Sequence, residues 1–267
     1  MAGVVEEVGL GVSQFAKGQN VVLIPSQSSY DSLDGYDYGE NGLTDSNGTF
    51  SAPSSYLYPL PASISIRSAT YLAALATAYH ALLRMSLFRP LDNVLIVSSN
   101  PISLFLIRLL SLQNAYQIIV VEHHPIWKRL ATQFGATHVI NPRDIDISES
   151  VRLLTDDVGA DVVFHIDDQY DYEVDQDIAA PPSAMLNRSR GMAYSATSAI
   201  SACRTRGTIV NIAPRRMYEA SKSKFRNELM MHEVQFVGFA GYDITSLRAA
   251  LRLIERGDVQ FEGLSLT

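Results

Sequence analysis

The stretch "VLIVSSNPISLFLIRLL", residues 94–110, decides the fold. It opens on four apolar residues, the length of a strand buried on both faces. It closes on an apolar run with helical spacing. Pro101 stands at the first turn of that helix, where its missing N–H costs nothing. Between the two lie Ser98, Ser99 and Asn100, a sharp polar turn.

The same alternation continues on either side. Upstream, "SATYLAALATAYHALLRM" has the spacing of a buried helix. Downstream come a buried strand, "YQIIVVE", and a helix, "PIWKRLATQFGA", that Gly135 ends. "HVINP", a helix near "SESVRLLTDDVG", and the strand "ADVVFHI" follow. "AISACRTRGTIVNIA" reads as a helix and a strand, and "EVQFVGFAGY" as a further strand. Strands apolar throughout, separated by helices, imply a parallel sheet covered on both faces. This is an α/β, doubly wound parallel sheet of Rossmann type. Residues 167–195 interrupt the alternation and read as an insertion at the carboxyl edge of the sheet, where such folds bind ligands.

Three zones result. Residues 1–62 read as short strands ("AGVVEEVG", "NVVLIP") and a long Ser-, Asp-, Gly- and Tyr-rich loop, a small β-rich domain. Residues 63–245 form the Rossmann-type domain. Residues 246–267 read as an amphipathic helix and the start of a strand returning toward the first zone.

With 267 residues, 47% hydrophobic and 18% charged, the chain is long enough to bury a large core. The net charge is −7 and its basic residues are not clustered, which argues against nucleic acid as a partner. No apolar run approaches the roughly 18 residues that cross a bilayer. One cysteine, Cys203, allows neither an internal disulfide nor a thiolate-rich metal site. No secretory signal is visible, so the expected location is cytoplasmic.

Several segments, in order and spacing, resemble the medium-chain dehydrogenase/reductases, the alcohol, sorbitol and butanediol dehydrogenase group. They are "GVVEEVGLGVSQFAKGQNVVLIP", "GTFSAPSSYLYPLPASIS", "TAYHALLRM", "ATQFGATHVINP", "GADVVFHI" and "ACRTRGTIVNIA". The resemblance implies that the β-rich zone is part of a GroES-like substrate domain and that the parallel sheet is a cofactor domain. It also implies a nicotinamide dinucleotide and a catalytic zinc. At the zinc positions the chain departs from the family. Met1 stands just after the point where the family's G-H-E motif carries a ligand. The third ligand position aligns near Ala73, and alanine cannot ligate a metal. No four-cysteine lobe is present. The expectation is a protein without zinc, in which either both ends of the substrate domain are lost or the gene product is shortened.

The family's G-x-G-x-x-G turn aligns with Ser98, Ser99, Asn100, Pro101, Ile102 and Ser103. The glycines serve a tight turn, close approach to pyrophosphate, and helix–strand packing. Ser98 adds a Cβ at the tightest point. Asn100 is the mildest exchange, since Asn tolerates a left-handed backbone. Ser103 is small enough to pack. Two readings remain: a weakened dinucleotide site on Ser98, Asn100, Pro101, Ile102 and Ser103, or a turn filled by its own side chains. Glu122 lies 22 residues beyond Asn100, near the spacing of an acid that binds the ribose hydroxyls; it favours NAD(H) over NADP(H), unless it is merely a solvated strand-end residue.

Other candidates are weighed against plainer roles. His165, with Asp167 and Asp168, follows a strand at the carboxyl edge and has the chemistry of a general base. Tyr30, Tyr36 and Tyr38 lie in the long loop and either line a cleft or face solvent. His80 reads as a satisfied core histidine. His123 and His124, adjacent on a strand end, point to opposite sides and so do not form a metal pair with Glu122. Cys203 reads as a buried, inert helix residue, with Arg204 and Arg206 facing solvent or capping that helix.

Two functions follow from different classes. The first is a zinc-independent oxidoreductase passing hydride between NAD(H) and a small carbonyl, alcohol or enone. The second is a non-redox protein on the same scaffold: an isomerase, cyclase or dehydratase, or an inert binding partner. Either is expected to be a homodimer, because an open apolar edge at "VQFVGFAGY" is a liability that pairing removes.

Overall fold

The computed structural model describes residues 2–23, 43–44, 49–97, 100–142, 146–166, 200–212, 227, 229–239 and 241–261. The chain divides into two compact units, residues 1–80 with 241–267, and residues 81–240.

The first unit holds a three-stranded antiparallel sheet of β1 (Ala2–Val4), β2 (Asn20–Leu23) and β5 (Leu57–Pro59), in the order β1-β2-β5. A two-stranded ribbon pairs β3 (Leu43–Thr44) with β4 (Phe50–Ser51). The remaining elements are α1 (Ile66–Ala69), α2 (Leu72–His80) and α6 (Ile244–Glu255). Ser65 caps α1 by accepting the Ser68 N–H. The hydroxyl of Tyr242 donates to the Leu23 carbonyl, 3.3 Å away, joining the segment before α6 to β2. The single long helix expected over residues 68–85 is instead α1 and α2, followed by one wide π-type turn, Ala81–Met85, that begins the second unit. The strand expected after α6 is not formed up to Phe261; residues 262–267 lie outside the described part.

The second unit is a six-stranded parallel sheet. Its strands are β6 (Asn93–Val97), β7 (Gln117–Val121), β8 (His138–Ile140), β9 (Ala160–Ile166), β10 (Cys203–Ile212) and β11 (Gln235–Phe239). The spatial order is β11-β10-β9-β6-β7-β8. The first strand in the chain is therefore central, the next two build one way, and the last three build the other. The direction reverses between β6 and β9, and a crevice opens outside the carboxyl ends of strands at such a point. The apolar runs are buried as a two-faced sheet requires. Val94, Leu95, Ile96, Ile119, Val163 and Phe164 have essentially no exposure.

Three helices are described on this sheet: α3 (Pro101–Leu112), α4 (Pro125–Phe134) and α5 (Ile147–Leu154). Helix α3 buries Leu104, Phe105, Leu106, Ile107, Leu109 and Leu110. Each such side chain contributes about 1.5–3 kcal/mol. Its Phe105 ring meets Phe134 of α4 edge-on at 6.3 Å. Gly135 ends α4 with φ 116°, a left-handed backbone that favours glycine.

Cys203 is a correction to the sequence reading. It opens strand β10 rather than lying on a helix. Arg204 does not cap a helix either; its Nε donates to Asp161 at 2.5 Å, and Asp161 also accepts the Asn93 N–H at 2.8 Å. Arg206 pairs with Glu233 at the surface. The register slips between Cys203 and Thr208, and Gly207 in this bulge lies against the Cys203 sulfur. A bulge that runs straight out of a helical turn has the same local composition as a helix end, which is why the sequence pattern misleads here.

Candidate functional site at the carboxyl edge of the parallel sheet

The turn after β6 leads directly into α3. Asn100 has φ −146° and ψ 175°, ordinary extended backbone, and not the left-handed conformation weighed from sequence. Asn100 is the N-cap of α3. Its Oδ1 accepts the Ser103 N–H at 3.0 Å, and the Ser103 Oγ accepts the Asn100 N–H at 3.0 Å. The Ser103 hydroxyl donates in turn to the Asn100 carbonyl at 2.7 Å. This reciprocal capping box satisfies helix-end donors within the turn itself. Ser103 is only 2% exposed. Pro101 has no N–H to offer, so among the described residues Ile102 supplies the one uncommitted donor in the first turn. Ser98 lies outside the described residues.

Glu122 follows β7, on the strand beside β6. It is not solvated: its exposure is 2%. Its N–H donates to the Ile140 carbonyl, so the backbone here continues the pairing with β8. Its Oε1 accepts the His124 N–H at 2.6 Å and stands 3.6 Å from the His123 Nδ1. Its Oε2 is buried and makes no hydrogen bond among the described residues. The carboxylate packs among Ser103, Leu104, Ile107, Val120, Trp127 and Ala131, around a space too small to hold a water. His124 turns to its own helix, accepting the Ile126 N–H and so capping α4. His123 and His124 thus engage the Glu122 carboxylate by different means, one through its ring and the other through its backbone.

His165 and Asn211 are in register on β9 and β10. The His165 Nδ1 donates to the Asn211 Oδ1 at 2.7 Å. That bond selects the ring tautomer. They are 5% and 4% exposed, in positions whose strand neighbours Ile166 and Ile212 are apolar. Asn211 was not singled out from sequence. A signal for it exists: "FHI" and "VNI" each place one polar residue at the end of an apolar run. Asp167 and Asp168 lie outside the described residues, as do Tyr30, Tyr36 and Tyr38.

In the first unit, His80 Nδ1 meets the Ser246 Oγ at 3.0 Å and lies 3.8 Å from Asp243. Ser, His and Asp come together, but both partners approach the same ring nitrogen. A nucleophile relay needs them on opposite nitrogens. Ser246 is also fully buried. The group ties α2 to α6 and caps α6 through Asp243, which accepts the Ser246 N–H. Ala73, near the family's third zinc-ligand position, lies on α2 and offers no donor atom. Among the described residues no three His, Cys, Asp or Glu side chains gather to hold a metal. None of the described helices is long and apolar enough to cross a membrane.

Comparison with known proteins agrees with this architecture. Residues 101–166 match the family described as zinc-binding dehydrogenase. Sorbitol dehydrogenase of Bacillus subtilis (strain 168) is 29% identical over 136 residues, which is 51% of this chain and 36% of that protein. L-threonine 3-dehydrogenase of Pyrococcus abyssi is 31% identical over 173 residues, 61% of this chain and 49% of that protein. The chain thus spans about a third to a half of the length of these curated relatives. The structure of 2R,3R-butanediol dehydrogenase from Bacillus subtilis superposes with a TM-score of 0.68 at 21% identity, covering 97% of this chain and 69% of that one. By these matches the chain is similar to the alcohol dehydrogenase-like proteins of the medium-chain dehydrogenase/reductase type, in the residues of its cofactor-type sheet and in fold.

Proposed function

We propose that this chain is a zinc-independent, alcohol dehydrogenase-like protein for a small hydroxylated molecule, in which the dinucleotide grip is closed and hydride transfer has been given up. The names of the relatives, dehydrogenases of sorbitol, threonine and butanediol, share a secondary hydroxyl on a short carbon skeleton. One observation carries the loss of hydride transfer. The first turn of α3 already spends the Ser103 N–H on Asn100. A diphosphate binds a helix N-terminus through these same backbone donors. On this reading the chemistry is redox-neutral, that of an isomerase, cyclase or dehydratase, or the fold serves as a binding scaffold.

A second reading has its own support. The Glu122 Oε2 is a buried acceptor without a donor among the described residues, and a ribose hydroxyl is a donor of the right kind. On that reading the protein is a zinc-independent NAD(H) oxidoreductase acting on a small carbonyl, alcohol or enone.

Thermal unfolding with added NADH separates the two. A ligand at 100 times its Kd stabilises the native state by about 2.7 kcal/mol. The first reading expects no shift in Tm at millimolar NADH; a saturable rise establishes the second. For either, the proposed assembly is a homodimer through β11, which ends the sheet. The proposed location is cytoplasmic, in keeping with a single, buried cysteine.

A further inference from the structure

We infer that the amino edge of the parallel sheet is a self-interface, on which a second copy of this chain docks about a twofold axis. It is separate from the open strand β11 and does not depend on whether a cofactor binds.

Among the described residues of the second unit, every exposed large apolar side chain except Ile126 lies in the last turn of a helix or between that helix and the next strand. These positions gather at the amino edge, where the parallel strands begin, opposite the edge at which such folds bind ligands. Leu87 and Leu91 precede β6, and Leu112 and Tyr116 precede β7. Leu153 and Val158 precede β9, and Met230 and Met231 precede β11. Their exposures run from 36% at Leu112 to 80% at Met231.

Hydrogen bonds join these turns into one rim. The Leu91 N–H donates to the Asn114 carbonyl at 2.8 Å, and the Tyr116 N–H to the Asp92 carbonyl at 3.0 Å. The Gln117 Nε2 donates to the Leu154 carbonyl, at the end of α5, at 2.8 Å. Asp161 accepts from both Asn93 on β6 and Arg204 on β10. The Arg206 N–H donates to the His232 carbonyl at 2.9 Å, beside the two methionines.

The area suits a dimer. Full burial of a side chain of this size removes roughly 60–120 Å² of apolar surface from water, so at their exposures the eight offer on the order of 500 Å². Monomers rarely expose a contiguous apolar patch above a few hundred Å². A standard interface buries about 800 Å² per partner, somewhat under two-thirds of it apolar, which is the share this rim supplies.

The charges point to a second copy as the occupant. The chain carries −7, yet the rim sets Arg89, Arg152 and Arg206 among Asp156, Asp157 and Glu233. A strongly charged partner meets no matching field there. A copy of the same rim, turned about a twofold axis, offers each sign to its opposite.

The experiment measures the mass of the whole chain by light scattering at low and high micromolar concentration. Leu91→Glu/Met231→Glu places charge on the rim at two turns. Leu153→Glu covers the case in which the double substitution does not fold, and Ile126→Glu, at the opposite edge, is the control. Thermal unfolding establishes that each variant is folded. The unaltered protein and Ile126→Glu are expected to share a mass of two or more copies. The folded rim variant is expected to halve that mass, or to raise the dissociation constant at least about tenfold. An associated parent whose folded rim variant keeps the full mass and affinity would leave β11 as the contact and refute the rim. A parent that stays monomeric at high micromolar concentration would refute it as well.

Discussion

The imidazole of His165 and the carboxamide of Asn211, both buried, meet at 2.7 Å across two neighbouring parallel strands. Buried polar groups contribute little net stability when paired and cost a great deal when the pair is broken. Asn211→Ala removes the acceptor of a buried ring N–H and is expected to lower stability by about 1–3 kcal/mol in urea denaturation. The double substitution His165→Leu/Asn211→Val is expected to cost less than the two single changes added together. Strict additivity would mean that the pair has no coupling.

Burial pushes the Cys203 thiol from its usual value of 9.0 up to about 12. Only the thiolate attacks disulfides and alkylating agents. Native protein at pH 8 is therefore expected to resist a thiol reagent such as DTNB that labels it fully in guanidinium. Between about pH 9 and pH 12 the native state keeps a proton that the unfolded chain has lost. This group's contribution to stability is present below that window and disappears as the pH rises through it. Rapid native labelling at pH 8 would place the sulfur at the surface.

Asp92 has its carboxyl raised above the usual 3.8, chiefly by burial, with repulsion from Asp161 adding to it. A raised acid favours its neutral form in the folded state, so its charge weakens the fold once the pH passes the raised value. The carboxylate accepts the Arg89 N–H at 2.7 Å, a bond that an amide oxygen also accepts. Asp92→Asn is thus expected to be as stable as the parent or slightly more so at pH 7, by up to about 0.5 kcal/mol, with the advantage shrinking on acidification. A loss above about 1 kcal/mol at pH 7 would show that the charge, through Arg204, contributes more than its burial costs.

Gly207 marks the bulge in β10. A Cβ there would stand 2.5 Å from the Cys203 Sγ and 3.0 Å from two carbonyl oxygens, those of Arg204 and Asp161. Gly207→Ala is expected to cost about 1–3 kcal/mol by overpacking. Gly238, on β11, has nothing within 4 Å of the same position and serves as the control; Gly238→Ala is expected to change stability by less than about 0.5 kcal/mol. Equal costs at the two sites would assign the effect to strand propensity.

Much of the second unit is legible in the sequence because burial on both faces leaves continuous apolar runs. "VLIV", "QIIVV" and "DVVFHI" need no tertiary knowledge to be read as central strands. Pro101 and Gly135 likewise mark helix ends by their own backbone chemistry. The site is less legible. That Asn100 and Ser103 bond to each other depends on side-chain rotamers, which spacing does not encode. Glu122 has the right position for a ribose acid, yet its burial beneath Trp127 follows from how α3 and α4 pack. Asn211 gains meaning only when β9 and β10 are set in register. The helix–strand boundary at Cys203 is misread because a bulge, not a periodicity, defines it.

The most direct test of the closed turn uses the chain's one tryptophan. Trp127 packs beside Glu122, so NADH bound across the α3 turn would lie close enough to accept its excitation energy. Excitation of Trp127 during titration of the unaltered protein with NADH is predicted to give no saturable emission from the nicotinamide at millimolar concentration. A saturable emission, abolished by an excess of NAD, would contradict the account.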